Sequence, residues 1–194
     1  IKSIDKVDAS NSFNLSSEKF TILIIGGSQG AESINKHFLQ NLNHYIKKDI
    51  QIIWQVGSKS KNIINDVNNS NIKVYEFIND MGIAYSASDL VISRAGATAI
   101  SEIISLGKPS ILIPYPHAAN NHQVANALAL QNHKAALMIE QENLEQGKLE
   151  KFISDSLEFK VKMKDMALNA IEFSKKNSAE LIANKVIDEV SSAR

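Results

Sequence analysis

Short, nearly continuous apolar runs alternate with longer segments of helical periodicity from residue 20 onward. Runs of this kind are typical of strands that are buried on both faces of a sheet. Between them, apolar residues recur at helical spacing, for example at Ile34, Phe38 and Leu42, which predicts helices. The predicted strands cover residues 20–25, 50–56, 72–77, 90–92, 110–113 and 135–139.

Strands that alternate with helices predict an α/β fold, a Rossmann-like doubly wound parallel sheet of about six strands in the order 3-2-1-4-5-6. In that order the chain reverses direction between the first and fourth strands, and ligands bind there at the carboxyl ends of the strands. Residues 1–18 are polar and are predicted to be a linker or irregular lead-in, which leaves residues 19–194 as the domain. After about residue 141 charged helices follow, the last of them an amphipathic run over 181–190.

The amino-acid composition argues against several classes of function. The chain has 194 residues, 44% of them apolar, and its 21 basic and 21 acidic side chains give no net charge. A balanced charge argues against a nucleic-acid partner, which usually requires a basic excess. There is no cysteine, so disulfides and thiolate metal sites are excluded. The apolar runs are much shorter than the roughly 20 residues that span a bilayer.

A glycine-bearing loop, Gly26-Gly27-Ser28-Gln29-Gly30-Ala31, directly follows the first predicted strand. Glycine allows close backbone approach to a ligand, and the helix that follows presents unpaired N–H groups to a phosphate. The spacing is neither a dinucleotide fingerprint nor a P-loop. Ser28 and Gln29 offer polar groups to a phosphate or a sugar. A tight turn with Ser28 as helix cap is an alternative that needs no ligand.

A second loop, residues 93–98, directly follows the fourth predicted strand. Its small residues would leave the amides at a helix N-terminus free for a diphosphate. These residues are Gly96, Ala97, Thr98 and Ala99. Because this loop and the first follow strands one and four, motif and topology predict the same crevice.

Two charged side chains accompany the second loop. Glu102, one helical turn after Thr98, could accept hydrogen bonds from both hydroxyls of a ribose. An acid in the first turn that only complements the helix dipole is the alternative. Arg94 has the fork of donors that suits a phosphate, and a structural ion pair is an equally good interpretation.

Polar residues near two further strand ends complete the candidate site. His122 and Gln123 begin a helix after the fifth strand and suit sugar hydroxyls, although His122 could equally be a capping or surface residue. The backbone at residues 76–78 could bind a base edge or simply pack at the sheet edge. His117 and His122 are five residues apart with no carboxylate to complete a zinc site, and no Asp-x-Asp motif is present, so we expect no metal site.

Five motifs occur in order: Gly-Gly-Ser-Gln-Gly-Ala, Glu-Phe-Ile-x-Asp-Met, Ser-Arg-Ala-Gly-Ala-Thr with Glu102, Ile-Pro-Tyr-Pro and His-Gln-x-x-Asn-Ala. From about residue 20 onward they closely resemble the C-terminal, donor-binding half of the MurG family of bacterial glycosyltransferases. The resemblance implies a GT-B architecture and inverting transfer of N-acetylglucosamine from UDP-N-acetylglucosamine to lipid I, which makes lipid II. It also implies peripheral association with the cytoplasmic face of the plasma membrane.

The resemblance further implies residue roles. The backbone of Ile78 would contact uracil, Glu102 would hold the ribose, and Gln123, with His122 beside it, would face the sugar. Arg94 would support the second loop. The diphosphate would be bound by one hydroxyl and three amides, those of Ser28, Ala97, Thr98 and Ala99. No metal or cofactor is implied, because the positive helix end would stabilise the departing UDP.

The family's N-terminal half carries the acceptor site and the proposed base, and nothing in this chain corresponds to it. We therefore expect no catalytic residue here, and a chain that is inactive by itself. Two alternatives remain open: a donor-binding subunit of a split two-chain glycosyltransferase, and a UDP-sugar epimerase of the same architecture.

Overall fold

Six parallel strands form one sheet in the computed structural model, which describes residues 4–27, 29–158 and 160–174. The strands are β1 (Thr21–Ile25), β2 (Gln51–Gln55), β3 (Ile72–Tyr75), β4 (Leu90–Ser93), β5 (Ser110–Leu112) and β6 (Leu137–Met138). Their order across the sheet is β3-β2-β1-β4-β5-β6, which confirms the predicted doubly wound topology. Each observed strand lies within, or one residue from, a predicted apolar run.

Helices cover both faces of the sheet, and the alternation of side chains along each strand supplies a core on each side. Along β1, Ile22 and Ile24 belong to one core and Leu23 and Ile25 to the other. The helices are α1 (Lys6–Ser12), α2 (Glu32–Lys47), α3 (Ile63–Asp66), α4 (Met81–Ala87), α5 (Ala97–Ser105), α6 (His122–Asn132), α7 (Lys148–Glu158) and α8 (Lys160–Phe173). Helices α2, α3 and α7 contribute to the core of Ile22, and α1, α4, α5, α6 and α8 to that of Leu23.

The lead-in segment is more ordered than its polar composition predicted. Residues expected to be irregular form helix α1, which packs against α4. Asp5 caps the helix by accepting a hydrogen bond from the Val7 N–H, and Ala9 and Phe13, one turn apart, are buried. The segment has too few apolar residues to show a clear helical period. Its capping residue Asp5 and the spacing of Ala9 and Phe13 are nevertheless compatible with a helix.

The carboxyl ends of β1 and β4 are adjacent, and this is where the chain reverses direction. Both glycine loops therefore lie at one edge of the sheet, as predicted. The amphipathic run predicted over residues 181–190 lies outside the described residues.

Candidate functional site

A cavity of about 1250 Å³ opens at the carboxyl edge of the sheet. Both glycine loops contribute to its wall, together with most of the predicted binding residues. Those in the wall are Gln29, Arg94, Gly96, Ala97, Thr98, Ala99, Glu102 and Gln123. Ile78 and His122 are not in the wall. Ser28 lies outside the described residues, so its predicted role is not tested.

The first loop is shaped by close contact with the end of β2. The N–H of Gly30 donates to the Gly27 carbonyl at 3.0 Å, which closes a turn, and both glycines have positive φ angles, 82° and 83°. A Cβ at Gly30 would overlap the Val56 carbonyl oxygen, so no larger residue fits there. Helix α2 then begins after Ala31, which has no side-chain hydrogen bond to the first-turn amides.

The second loop leaves both space and hydrogen-bond donors at the start of α5. Gly96 is the N-cap, with φ −72° and ψ 145°, and no side chain caps the helix. A Cβ built on Gly96 would meet no atom within 4 Å, so the glycine is not required by protein packing. The first-turn amides, at Ala97, Thr98 and Ala99, have no acceptor within the helix. Oxygen atoms of an anionic ligand could therefore approach them.

Arg94 ties three segments together at the cavity wall. One guanidinium nitrogen donates to the carbonyl oxygens of Ile113 and Pro114, both at 3.1 Å. The other donates to Ser33 Oγ at 2.8 Å and Gln141 Oε1 at 2.7 Å. All four acceptors are neutral.

The charge of Arg94 has no carboxylate partner in the described part of the chain, so the structural ion pair considered from the sequence is not found there. Burial lowers the pKa of Arg94 to about 10, and the guanidinium stays charged at neutral pH. Arg94 is therefore held rigidly by neutral groups while its positive charge remains available to an anion in the cavity.

Glu102 has one hydrogen-bond donor among the described residues. The Tyr85 hydroxyl donates to Glu102 Oε2 at 3.0 Å, and Glu102 itself is partly exposed to the cavity. Burial raises the pKa of Tyr85, and the negative charge of Glu102 raises it further, so the phenol stays protonated. No described residue donates to the other carboxylate oxygen.

A buried glutamine that the sequence analysis missed connects the first loop to the proposed base-binding segment. Gln55 Nε2 donates to the Gly27 carbonyl at 3.3 Å, and its Oε1 accepts from the Ile78 N–H at 2.9 Å. Gln55 ends strand β2 and is 5% exposed. With the Ile78 N–H engaged, the carbonyl of Ile78 is the backbone group left to contact a ligand. A polar residue that interrupts a buried apolar run was the available sequence signal.

Aromatic and amide groups complete the wall. Phe77 is 55% exposed although its ring is apolar, and it lines the cavity beside Met81. Gln123 Oε1 accepts from the Tyr115 N–H at 2.9 Å, which leaves its NH₂ group free to donate. His122 is exposed, and its Nδ1 lies 2.7 Å from the Ala119 carbonyl oxygen. That contact matches the capping or surface interpretation more closely than a place in the cavity wall.

Two features are absent from residues 4–27, 29–158 and 160–174. No cluster of three or more His, Asp or Glu side chains has the arrangement of a metal site. No helix is both long and apolar enough to cross a membrane.

The chain is similar in sequence to known transferases. A transferase from Bacteroides thetaiotaomicron, named UDP-N-acetylglucosamine–N-acetylmuramyl-(pentapeptide) pyrophosphoryl-undecaprenol N-acetylglucosamine transferase, is 40% identical over 189 residues. That alignment covers 94% of this chain and 50% of the relative. The transferase of the same name from Parabacteroides distasonis is 44% identical over 144 residues, 72% of this chain and 39% of the relative. The chain thus spans about half the length of the curated relatives it matches or less.

A solved structure and a family model extend the comparison. The crystal structure of Acinetobacter baumannii MurG superposes with a TM-score of 0.72 and 26% identity, covering 96% of this chain and 54% of MurG. The resemblance to the MurG family that the motifs indicated is confirmed. The model of the glycosyltransferase family 28 C-terminal domain matches residues 21–189, most of the chain. The chain belongs to glycosyltransferase family 28 and corresponds to the C-terminal domain of that family's proteins.

Proposed function

We propose that this chain is the donor-binding half of an inverting glycosyltransferase that moves N-acetylglucosamine from UDP-N-acetylglucosamine to lipid I, forming lipid II. One observation carries the proposal. Two glycine loops line a single cavity together with Glu102, and the helix that follows each loop has no side-chain cap. The relatives' names supply the donor and acceptor classes, and the chain's membership of family 28 supplies the reaction class.

The diphosphate of the donor would lie at the start of α5. The amides of Ala97, Thr98 and Ala99 would donate to its oxygens, and the Arg94 charge would lie behind them. Ser28 remains a predicted contact from the first loop. Because negative charge builds up on UDP as the glycosidic bond breaks, groups fixed in advance around the diphosphate would lower the barrier to its departure.

The nucleoside would lie between Glu102 and the segment after β3. The free carboxylate oxygen of Glu102 would accept from the ribose hydroxyls, and the exposed ring of Phe77 offers a face on which a base can stack. Ile78 is outside the cavity wall, and its carbonyl remains a predicted contact that would accept from N3–H of uracil. Cytosine has no hydrogen at N3, so an acceptor at this position favours uracil over cytosine.

The sugar would lie towards α6. The NH₂ group of Gln123 would donate to a sugar hydroxyl, and His122, outside the cavity wall, remains a predicted neighbour. We assign no catalytic base to the described residues, and propose that the acceptor and the base belong to a partner domain. Because the acceptor named for the relatives is an undecaprenol lipid, we propose that the intact enzyme works peripherally at the cytoplasmic face of the plasma membrane.

Titration calorimetry of the 194-residue chain with UDP, CDP and ADP tests the donor site. We expect UDP to bind about tenfold or more tightly than CDP or ADP, because the wrong base leaves a buried polar group unpaired. Equal binding of the three nucleotides, or no binding of any, would contradict the proposal.

A second experiment tests the epimerase alternative. When the chain is incubated with UDP-N-acetylglucosamine alone, we expect proton NMR to show an unchanged sugar. Appearance of a second sugar stereoisomer would favour the epimerase alternative and overturn the assignment as a transferase half.

A further inference from the structure

The contact between Tyr85 and Glu102 has no place in the donor-binding roles proposed above. Tyr85 lies in α4 and is completely buried, whereas Glu102 lies in α5 and faces the cavity. The two helices are separate elements, joined here by one hydrogen bond of 3.0 Å. A buried hydroxyl can also donate to a backbone carbonyl, but here it donates to a carboxylate that faces the cavity.

The direction of this hydrogen bond is fixed by chemistry. An ionised carboxylate can only accept, so the Tyr85 hydroxyl must donate to Glu102 Oε2. Without that bond, the carboxylate of a partly exposed glutamate could rotate about its terminal bonds among several orientations. With it, one oxygen is fixed against the core and the other has no donor from the described residues.

We propose that Tyr85 is a positioning residue: its hydroxyl holds the Glu102 carboxylate so that the free oxygen meets the ribose hydroxyls, and it thereby sets the preference of the site for ribonucleotides over 2′-deoxyribonucleotides. The inference rests on the proposed role of Glu102 in donor binding. An acceptor already in place loses less conformational freedom when ligand binds, so more of the hydrogen-bond energy contributes to affinity. The angular requirement of the bond makes the gain specific to a hydroxyl in the right position.

The chain contains a matched control for this role. Tyr45 is also completely buried, and its hydroxyl donates to Glu150 Oε1 at 2.8 Å. Neither Tyr45 nor Glu150 is in the cavity wall. Tyr45→Phe therefore removes the same kind of tyrosine–glutamate bond without touching the proposed site.

The experiment measures the ratio of the Kd for 2′-deoxy-UDP to the Kd for UDP by titration calorimetry. In the wild-type chain we expect a ratio of about ten or more, since one hydrogen bond to a charged group is lost with the deoxy ligand. In Tyr85→Phe we expect the ratio to fall to about three or less. In Tyr45→Phe it should equal the wild-type ratio. Tyr85→Met is made in parallel, because its adaptable side chain offers a second route to a folded variant.

The outcomes separate the inference from the proposal on which it rests. A wild-type ratio near one would remove the ribose role of Glu102, and with it part of the proposed function. A normal wild-type ratio that Tyr85→Phe and Tyr85→Met leave unchanged would overturn the inference alone, as would an equal fall in Tyr45→Phe. In a Glu102→Ala background, Tyr85→Phe should cause no further loss of UDP affinity, and an additive loss would contradict action through Glu102.

Discussion

The cavity wall and the contact between α2 and α7 are both rich in charged and polar side chains, yet they differ in how those groups are paired and in how far they face solvent. Between α2 and α7, Glu150 Oε1 accepts a hydrogen bond from the Tyr45 hydroxyl at 2.8 Å and lies 2.7 Å from His37 Nε2. The side chains of His37 and Glu150 are only 5% and 14% exposed. This cluster is closed, because Tyr45 and His37 both bond to Glu150 Oε1 and little of the cluster faces solvent.

At the cavity the same kinds of group retain hydrogen-bonding capacity. Arg94 has only neutral acceptors, and one oxygen of Glu102 has no donor among the described residues. Helix α5 begins without a side-chain cap, whereas α4 begins with Asp80, which accepts from the Ile83 N–H. A polar group that is held in place at a cavity is suited to a ligand, and a polar cluster buried between two helices is suited to joining them. The difference between these two regions can be tested by substitutions in each.

The largest effect is expected from Arg94→Ala, because this side chain both joins segments and carries a positive charge near the proposed diphosphate position. Its four acceptors would lose their donor, so we expect the free energy of unfolding to fall by about 2–4 kcal/mol. UDP affinity should fall as well, by about 1–3 kcal/mol, through loss of a charge near the diphosphate. Urea denaturation and calorimetry measure the two quantities. Arg94→Lys retains the positive charge but not the planar fork of donors. Compared with Arg94→Ala, we therefore expect it to recover a larger share of the lost UDP affinity than of the lost free energy of unfolding.

A paired substitution of Glu102 and Glu150 sharpens the comparison. In Glu102→Ala, UDP affinity should fall by about 1–3 kcal/mol, the usual result of removing a partner from a polar group of the ligand. In Glu150→Ala, stability should fall by about 2 kcal/mol, because Tyr45 and His37 lose their acceptor, while Kd for UDP stays at the wild-type value. Loss of UDP binding in folded Glu150→Ala would show that the two regions are not separate in function.

The sequence predicted the path of the chain better than it predicted these contacts. The order of six strands follows from alternating apolar runs and helical periods, and the meeting of the two glycine loops follows from that order. The bonds from Arg94 to Ser33 and Gln141 span 61 and 47 residues, and no local pattern encodes which side chains meet over such separations. Gln55 and Tyr85 look like ordinary strand and helix residues until the fold brings Ile78 and Glu102 beside them.

A smaller effect is expected from Gly96→Ala. At φ −72° alanine is tolerated and its Cβ meets no protein atom, so stability should change by less than about 1 kcal/mol. The Cβ would occupy space beside the α5 amides, and we expect UDP affinity to fall by about 1 kcal/mol. Gly30→Ala is the opposite case, since its clash and its φ of 83° should destabilise the fold. Unchanged UDP affinity in Gly96→Ala would place the diphosphate elsewhere.

The smallest effect is a pH dependence confined to the closed cluster. Burial alone would raise the pKa of Glu150, but hydrogen bonds from His37 and Tyr45 outweigh it and hold that pKa below its ordinary value. The unfolded chain therefore binds this proton more readily than the folded chain, and acid favours unfolding. The stabilisation is complete above the ordinary glutamate pKa of about 4.3 and is lost as pH falls through the lower pKa of the folded state.

Thermal melting of wild type and Glu150→Gln between neutral pH and about pH 3 measures this effect. The wild type should melt higher at neutral pH, and the difference should shrink on acidification. Other carboxylates contribute equally to both chains and cancel in the difference. Glu145→Gln removes the same charge from an exposed position and serves as the control. A difference that stays constant down to low pH would mean that the charge of Glu150 adds nothing to the cluster, and that packing alone joins α2 to α7.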